Sequence, residues 1–212
     1  MKLLLSLGLL GFSLSFCNPG NKSKTTSGSP NSNSNSSSNS PAKSAASNID
    51  AEKPLLSDVQ QKIVDDGAEV KWDEQEIAWR LPSGWKKTGV KTETPQFKSP
   101  DGAFLIPAVS VMPNNFPSDM SMKGTYESAM MKLHSDTYEL ARYLEIDGIK
   151  GVEWRETMPG VKSAPRRHQW TGFRQYRGQN QQINIILSTK GSDFDRHRNE
   201  FLAIMYSMKI GK

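Results

Sequence analysis

Between Asn18 and Asn48 the chain carries 11 Ser, 7 Asn and no large apolar residue, so this stretch has nothing to place in a packed core. The tract confines any folded unit to residues 50–212 of the 212. A domain of that size buries roughly 70% of its unfolded surface and needs neither a disulfide nor a structural metal to hold together. The single cysteine, Cys17, agrees, since it stands before the tract and outside the unit that would fold.

The residues around Cys17 supply an address. Leu3 to Phe16 form an apolar run of 14 residues, short of the roughly 20 that a membrane-spanning helix needs, and the run reads as the hydrophobic region of a signal peptide over 1–16. It ends at Leu14-Ser15-Phe16-Cys17, which resembles a bacterial lipoprotein signal. That resemblance implies cleavage before Cys17, acylation of its thiol, and acyl chains as the membrane hold. A plain secretory signal and an uncleaved anchor are the alternatives. Phe16 departs from the small residue usual at its position. The Ser/Asn tract then acts as a tether over 17–49, with an average reach of about 30 Å, and residues 50–212 form one α+β domain.

The formal charge of +5 lies mostly in the tail. Residues 1–49 hold four Lys and no acid, leaving the domain at +1, which is no electrostatic footprint for nucleic acid. Charge within the domain is segregated: residues 50–76 carry net −6, and residues 157–192 carry six bases and no acid.

Helical spacing of Leu55, Leu56, Val59, Ile63 and Val64 predicts a helix over 54–66 that stops at Gly67. Extended segments follow at 75–81, 85–90, 97–98 and 103–112, separated by Pro82-Ser83-Gly84 and Pro100-Asp101-Gly102 turns. A second helix is predicted over 121–134, with Met122, Tyr126, Ala129, Met130 and Leu133 on one face. Strands at 138–146 and 150–157 flank an Asp147-Gly148 hairpin turn, and strands at 168–177 and 181–189 join near Gly178. Ser192 with Asp195 reads as a capping box opening a last helix. This order has no βαβ rhythm. It predicts an antiparallel sheet covered by helices.

Ile77-Ala78-Trp79-Arg80-Leu81-Pro82-Ser83-Gly84-Trp85 and Phe97-Lys98-Ser99-Pro100-Asp101-Gly102 resemble the opening strand and next hairpin of PsbP/DcrB-like domains. The closing Phe201-Leu202-Ala203-Ile204-Met205-Tyr206-Ser207-Met208-Lys209-Ile210 is similar to their terminal helix and short final strand. The resemblance covers about 72–212. It implies an α/β/α sandwich and a non-catalytic binding or assembly role, and it transfers no functional residue.

The chemistry-bearing residues offer no enzyme motif. His134-Ser135-Asp136 has the letters of a hydrolase triad, but neighbours at one helix end cannot converge on a common point. Asp193 and His197, four apart, could share a metal, although helix-start and solvated roles account for them. Met112, Met120, Met122, Met130 and Met131 with His134 would suit Cu(I), and helix packing explains their spacing equally well. No catalytic residue, metal or cofactor is expected. The segment from Arg166 to Arg177 stands out for its arginines and aromatics, the composition of binding hot spots. On a strand, Arg166, His168, Trp170, Arg174 and Tyr176 share one face, and Arg167, Phe173 and Arg177 share the other. Arg166, Arg167, His168, Trp170, Arg174, Tyr176 and Arg177 are therefore the expected contact residues for a protein partner. The competing expectation is that the aromatics pack under a helix while the arginines pair with the acidic 50–76 segment. The whole reads as an exported, lipid-anchored, non-catalytic envelope protein that binds a protein partner, with a small-ligand or metal-binding module as the alternative.

Overall fold

Two dipeptides that end in glycine sit where the sheet reverses. Asp147 and Gly148 both take positive φ (49° and 81°), as do Arg177 and Gly178 (50° and 76°), the conformation of a type I′ hairpin, whose twist matches that of the strands it joins. The first turn links β6 (Tyr138–Ile146) to β7 (Ile149–Glu156); the second links β8 (Pro165–Tyr176) to β9 (Gln179–Lys190). The computed structural model describes residues 50–88 and 94–211. The signal segment, Cys17 and the Ser/Asn tract thus lie outside the described residues, as does the end of the strand expected over 85–90.

With β3 (Lys86–Thr88), β4 (Gln96–Lys98) and β5 (Phe104–Met112), these strands form a seven-stranded sheet in the order β3-β4-β5-β9-β8-β7-β6. Every neighbouring pair is antiparallel. A separate three-stranded sheet pairs β1 (Ala68–Trp72) and the C-terminal β10 (Lys209–Ile210) on either side of β2 (Ile77–Leu81). β1 lies outside the expected strands although Ala68–Trp72 alternates apolar and polar residues, and the division into two sheets carried no sequence signal.

Helix α2 (Ser118–His134) covers one face of the large sheet. Helix α3 (Gly191–Tyr206) covers the other and packs in turn on α1 (Asp58–Asp66) and on β2. The architecture is therefore α+β, an antiparallel sheet between helices. Helix α1 opens on a capping box: Ser57 Oγ accepts from Gln60 N, and Gln60 Oε1 accepts from Ser57 N at 3.0 Å. The capping box expected at Ser192 and Asp195 does not form. Helix α3 starts two residues earlier, with Lys190 in the N-cap position, its first N–H groups donate to Ala164 O and Lys162 O (2.9 Å each), and the Asp195 carboxylate is taken by Arg166 and Arg198.

The main core lies on the α3 face. Trp170, Ile183, Ile185, Leu187, Phe194, Phe201 and Ile204 are all buried there, joined by Ile77 and Trp79 of the small sheet. The Trp170 indole lies across two glycines: a Cβ on Gly151 or Gly172 would come within 2.6 Å or 2.4 Å of its ring. Only glycine leaves that space. The indole N–H donates to Leu144 O at 3.1 Å. A second, smaller cluster under α2 gathers Met122, Ala129, Tyr138 and Val152, with Tyr126, Tyr143, Trp154 and Phe173 partly buried around it.

Candidate functional site

Five of the seven expected contact residues face inward. β8 is a central strand covered on both faces, and its alternation turns Arg166, His168, Trp170, Arg174 and Tyr176 toward α3 and the small sheet, where all five are buried. A buried face is not a contact surface, so the expectation is corrected for these five. The other two, Arg167 and Arg177, are exposed but stand at opposite ends of β8, ten residues and roughly 30 Å apart, and cannot form a single patch.

Each buried arginine is spent on structure. Arg166 donates to Glu156 O (2.8 Å), Glu139 Oε2 (2.6 Å) and Asp195 Oδ1 (3.2 Å), and its guanidinium lies 4.3 Å from the Phe194 ring centre. Arg174 donates to Gln181 Oε1 (3.0 Å), Gly211 O (2.8 Å) and Gln75 O (2.8 Å), pinning the C-terminal strand and the turn after β1. Arg177 pairs with Glu76 at 2.8 Å, and Arg167 pairs with Glu156 at 3.0 Å. The acidic 50–76 segment thus receives Arg174 and Arg177, whereas Arg166 and Arg167 find their acids on β6, β7 and α3.

His168 belongs to a buried charged network. Its Nε2 lies 2.7 Å from Glu153 Oε1, which also accepts from the Tyr206 hydroxyl at 3.0 Å, while Glu153 Oε2 accepts from Arg142 Nε at 2.6 Å. Arg142 extends the network to Tyr206 (2.8 Å) and to Glu52 (2.5 Å) at the start of the domain. Burial pushes against the charge on Glu153, but the hydrogen bond from His168 and the Arg142 cation prevail and hold its carboxyl well below the usual range, at about 2. Burial also dominates at His168 and lowers its pKa despite Glu153, so the imidazole is neutral and Nε2–H donates to the carboxylate. Nδ1 is left without a partner. This constellation has the residue types of an acid–base site, but neither His168 nor Glu153 exposes any side-chain surface.

The other weighed residues take ordinary places. His197 is buried rather than solvated, stacked on Phe201 with Nδ1 2.7 Å from Glu200 Oε2. Asp193 lies 3.8 Å from Arg196. Among the described residues no group of three His, Cys, Asp or Glu is placed to hold a metal ion. Ser135 Oγ donates to Lys132 O at 3.2 Å, and the His134-Ser135-Asp136 side chains are exposed.

Among the described residues, two concavities lie on the α2 side. One is a groove of about 760 Å³ bordered by Phe116, Met120 and Met122, the Gly148-Ile149 turn, Phe173 and Arg174. Its loop is fixed by Asn180, whose amide donates to Pro113 O (3.0 Å) and Asn114 O (2.8 Å), and Phe116 packs on Phe173 at 5.7 Å. Met120 stands 73% exposed at its rim. The other is a cavity of about 440 Å³ between α2 and the sheet, bordered by Gly124, Ser128, Lys132, Tyr138 and Trp154. Sequence reasoning missed these residues, because their apolar spacing reads as packing. The one available signal was a glycine in the middle of a predicted helix.

With that geometry in hand, comparison with known proteins adds the following. No protein-family model matches the chain, and no curated protein does. Among solved structures it is similar to LpqN of Mycobacterium tuberculosis, described as involved in cell envelope biogenesis: TM-score 0.52 and 9% identity over 75% of this chain and 100% of that one. What the two share is the fold. Cyanobacterial PsbP (CyanoP) from Synechocystis sp. PCC 6803 aligns at TM-score 0.46 with 17% identity, covering 69% of this chain and 94% of that one. A Bacteroides thetaiotaomicron protein aligns at 0.42 with 12% identity, covering 64% of this chain and 45% of its own.

Proposed function

We propose that this chain is an exported, non-catalytic envelope protein, held to the membrane through acylated Cys17, whose α+β domain engages a protein partner. The observation that carries the reading is the groove at the start of α2. There Met120, in the first turn of α2, projects into solvent beside Phe116 and Phe173, and the loop that leads into the helix is pinned by Asn180. An exposed methionine beside two half-buried phenylalanines over a concavity suits an apolar segment of a partner, because thioether side chains adapt to the surface they meet. The groove replaces the β8 face as the contact surface. The involvement of LpqN in cell envelope biogenesis accords with an envelope setting. The closure of the Glu153–His168 pair to solvent supports a structural rather than a catalytic use of those groups.

The test is site-specific photocrosslinking of the full chain in its own membrane. A crosslinker in place of Met120 is expected to give a discrete adduct, and one in place of Lys86, on the opposite edge of the sheet, none. Equal labelling at both positions, or none at Met120, overturns the surface. Cys17→Ser is expected to move the protein from the membrane to the soluble fraction, and retention in the membrane overturns the anchor.

A further inference from the structure

The end of the large sheet where α3 begins carries a surface of its own, away from the groove. Between β7 and β8 the chain crosses from Thr157 to Ala164, and there Met158 and Val161 stand 44% and 67% exposed. The loop that presents them is bonded to the helix. Gly191 N–H and Ser192 N–H donate to Ala164 O and Lys162 O at 2.9 Å each, Ala164 N–H donates to Val161 O at 2.8 Å, and Pro159 fills the space that a side chain at Gly191 would need. Two apolar side chains are thus held outward on an ordered loop.

Cations flank them. Lys162 is exposed in the loop and Lys190 is exposed at its base, opposite Pro165, and neither forms an ion pair among the described residues. The nearby acids are largely answered by arginines: Asp101 and Asp193 by Arg196, and Asp195 by Arg166 and Arg198. Asp136, beside Thr157, stays outside these pairs. An apolar pair between two unpaired lysines complements an anionic lipid surface, where apolar side chains enter the interface and ammonium groups remain among the headgroups.

Chain direction is the second argument. Glu52 bridges to Leu144 with its chain parallel to β6: Glu52 N–H donates to Tyr143 O at 3.1 Å, and Glu145 N–H donates to Glu52 O at 2.8 Å. Followed back toward Asp50, the chain therefore heads for the Tyr138 end of β6, which pairs with Glu156 at the mouth of this loop. The segment that leads from Cys17 joins the domain on the side where Met158 and Val161 stand. A flexible tether holds such a loop near the bilayer at an effective concentration on the order of millimolar, so a weak contact suffices to orient the domain.

We infer that the Met158–Lys162 loop, together with Lys190, is a membrane-docking surface whose partner is a bilayer containing anionic phospholipid. The inference rests on the acylated anchor proposed above, which brings the domain to that bilayer. Met158 and Val161 enter the boundary between headgroups and acyl chains, and Lys162 and Lys190 meet the lipid phosphates.

The full chain, extracted from its membrane and reconstituted in vesicles, tests this with the environment-sensitive dye NBD on Ser163→Cys, next to the apolar pair. Gly160→Cys, where a side chain meets nothing within 4 Å, carries the dye if that variant fails to fold. In mixed phosphatidylcholine–phosphatidylglycerol vesicles the emission is expected to shift to the blue and to be quenched by nitroxide on the acyl chains. The same dye on Gln179→Cys, at the opposite end of the sheet, is expected to show neither. Met158→Ser with Val161→Ser should abolish the shift. Lys162→Gln with Lys190→Gln should lower the ratio of docked to undocked domain about thirtyfold, as about 1 kcal/mol for each of two lysines implies, with an unchanged melt by circular dichroism. Mass spectrometry of the same preparation reads acylation of Cys17. An acylated chain without a shift overturns the loop alone, and an unacylated chain overturns the anchor and the inference with it. Equal shifts at Ser163 and Gln179 overturn the location, and a full shift in pure phosphatidylcholine overturns the anionic lipid. A shift in native membranes but not in protein-free vesicles gives the loop to a protein and overturns the bilayer.

Discussion

The two faces of the seven-stranded sheet are built to different tolerances. On the α3 face a tryptophan lies flat on two glycines, three hydrogen-bonding groups surround a fully buried carboxylate, and the helix is locked by arginines that also cover aromatic rings. On the α2 face the core is small, methionines stand in solvent, and two concavities stay open. The same strands supply both faces, so the contrast comes from what the sequence places above them. A closed face yields stability, and an open one leaves surface for recognition.

The sharpest way to break this comparison is to truncate one tryptophan on each face. Trp170→Ala should cost about 3–5 kcal/mol, as expected for a large buried side chain over a tightly packed floor. Trp154→Ala, beside an existing cavity, should cost less than half of that. Urea denaturation of the two variants checks it, and equal losses would remove the distinction between the faces.

Acid provides the next test. Burial keeps the folded-state pKa of His168 below its ordinary value, so below about pH 6.5 the unfolded chain takes up a proton that the folded chain refuses. Stability should therefore fall as pH drops through that region, by up to about 1.4 kcal/mol per pH unit. Glu153 acts in the same direction at lower pH. Its contribution is complete above the unfolded carboxyl range and is lost as pH falls toward its folded value of about 2. Urea midpoints at pH 7, 6 and 5 should show the slope, and His168→Gln should flatten it. An unchanged slope in that variant would place the proton elsewhere.

The smallest effect expected is a gain. Gly124→Ala on α2 should stabilise the domain by about 0.5–1 kcal/mol, since alanine is the better helix former and meets no neighbour there. A loss of stability would mean that the helix is packed more closely at that point than its open surroundings indicate.

Much of the fold was legible because its signals are local. Asp147-Gly148 and Gly178 mark hairpins through the backbone angles they permit, and the apolar spacing around Met122 and Phe201 marks helices. What was not legible is instructive. β1 reads Ala-Glu-Val-Lys-Trp, an alternation of only five residues next to a helix, and β2 supplies the partner that makes it a strand. Ser192 and Asp195 have the spacing of a capping box, but Arg198 on the next turn and Arg166 from a distant strand compete for the carboxylate and win. The cavity beneath α2 leaves no pattern in the sequence beyond one glycine, because it is made of side chains that fail to fill a space rather than of side chains that fill one.

The alternation of β8 was fully determined by its sequence: a strand has two faces, and Arg166, His168, Trp170, Arg174 and Tyr176 had to share one of them. Which face water would see was not determined, because period two assigns residues to sides without saying what covers each side. Arginine suggests an outer side on average. Here the layers assembled from residues far along the chain placed Glu139, Glu153 and Asp195, backbone carbonyls and aromatic rings around that side. Only such a set of partners makes burial of these charges and polar groups affordable, and only the tertiary structure could bring it together.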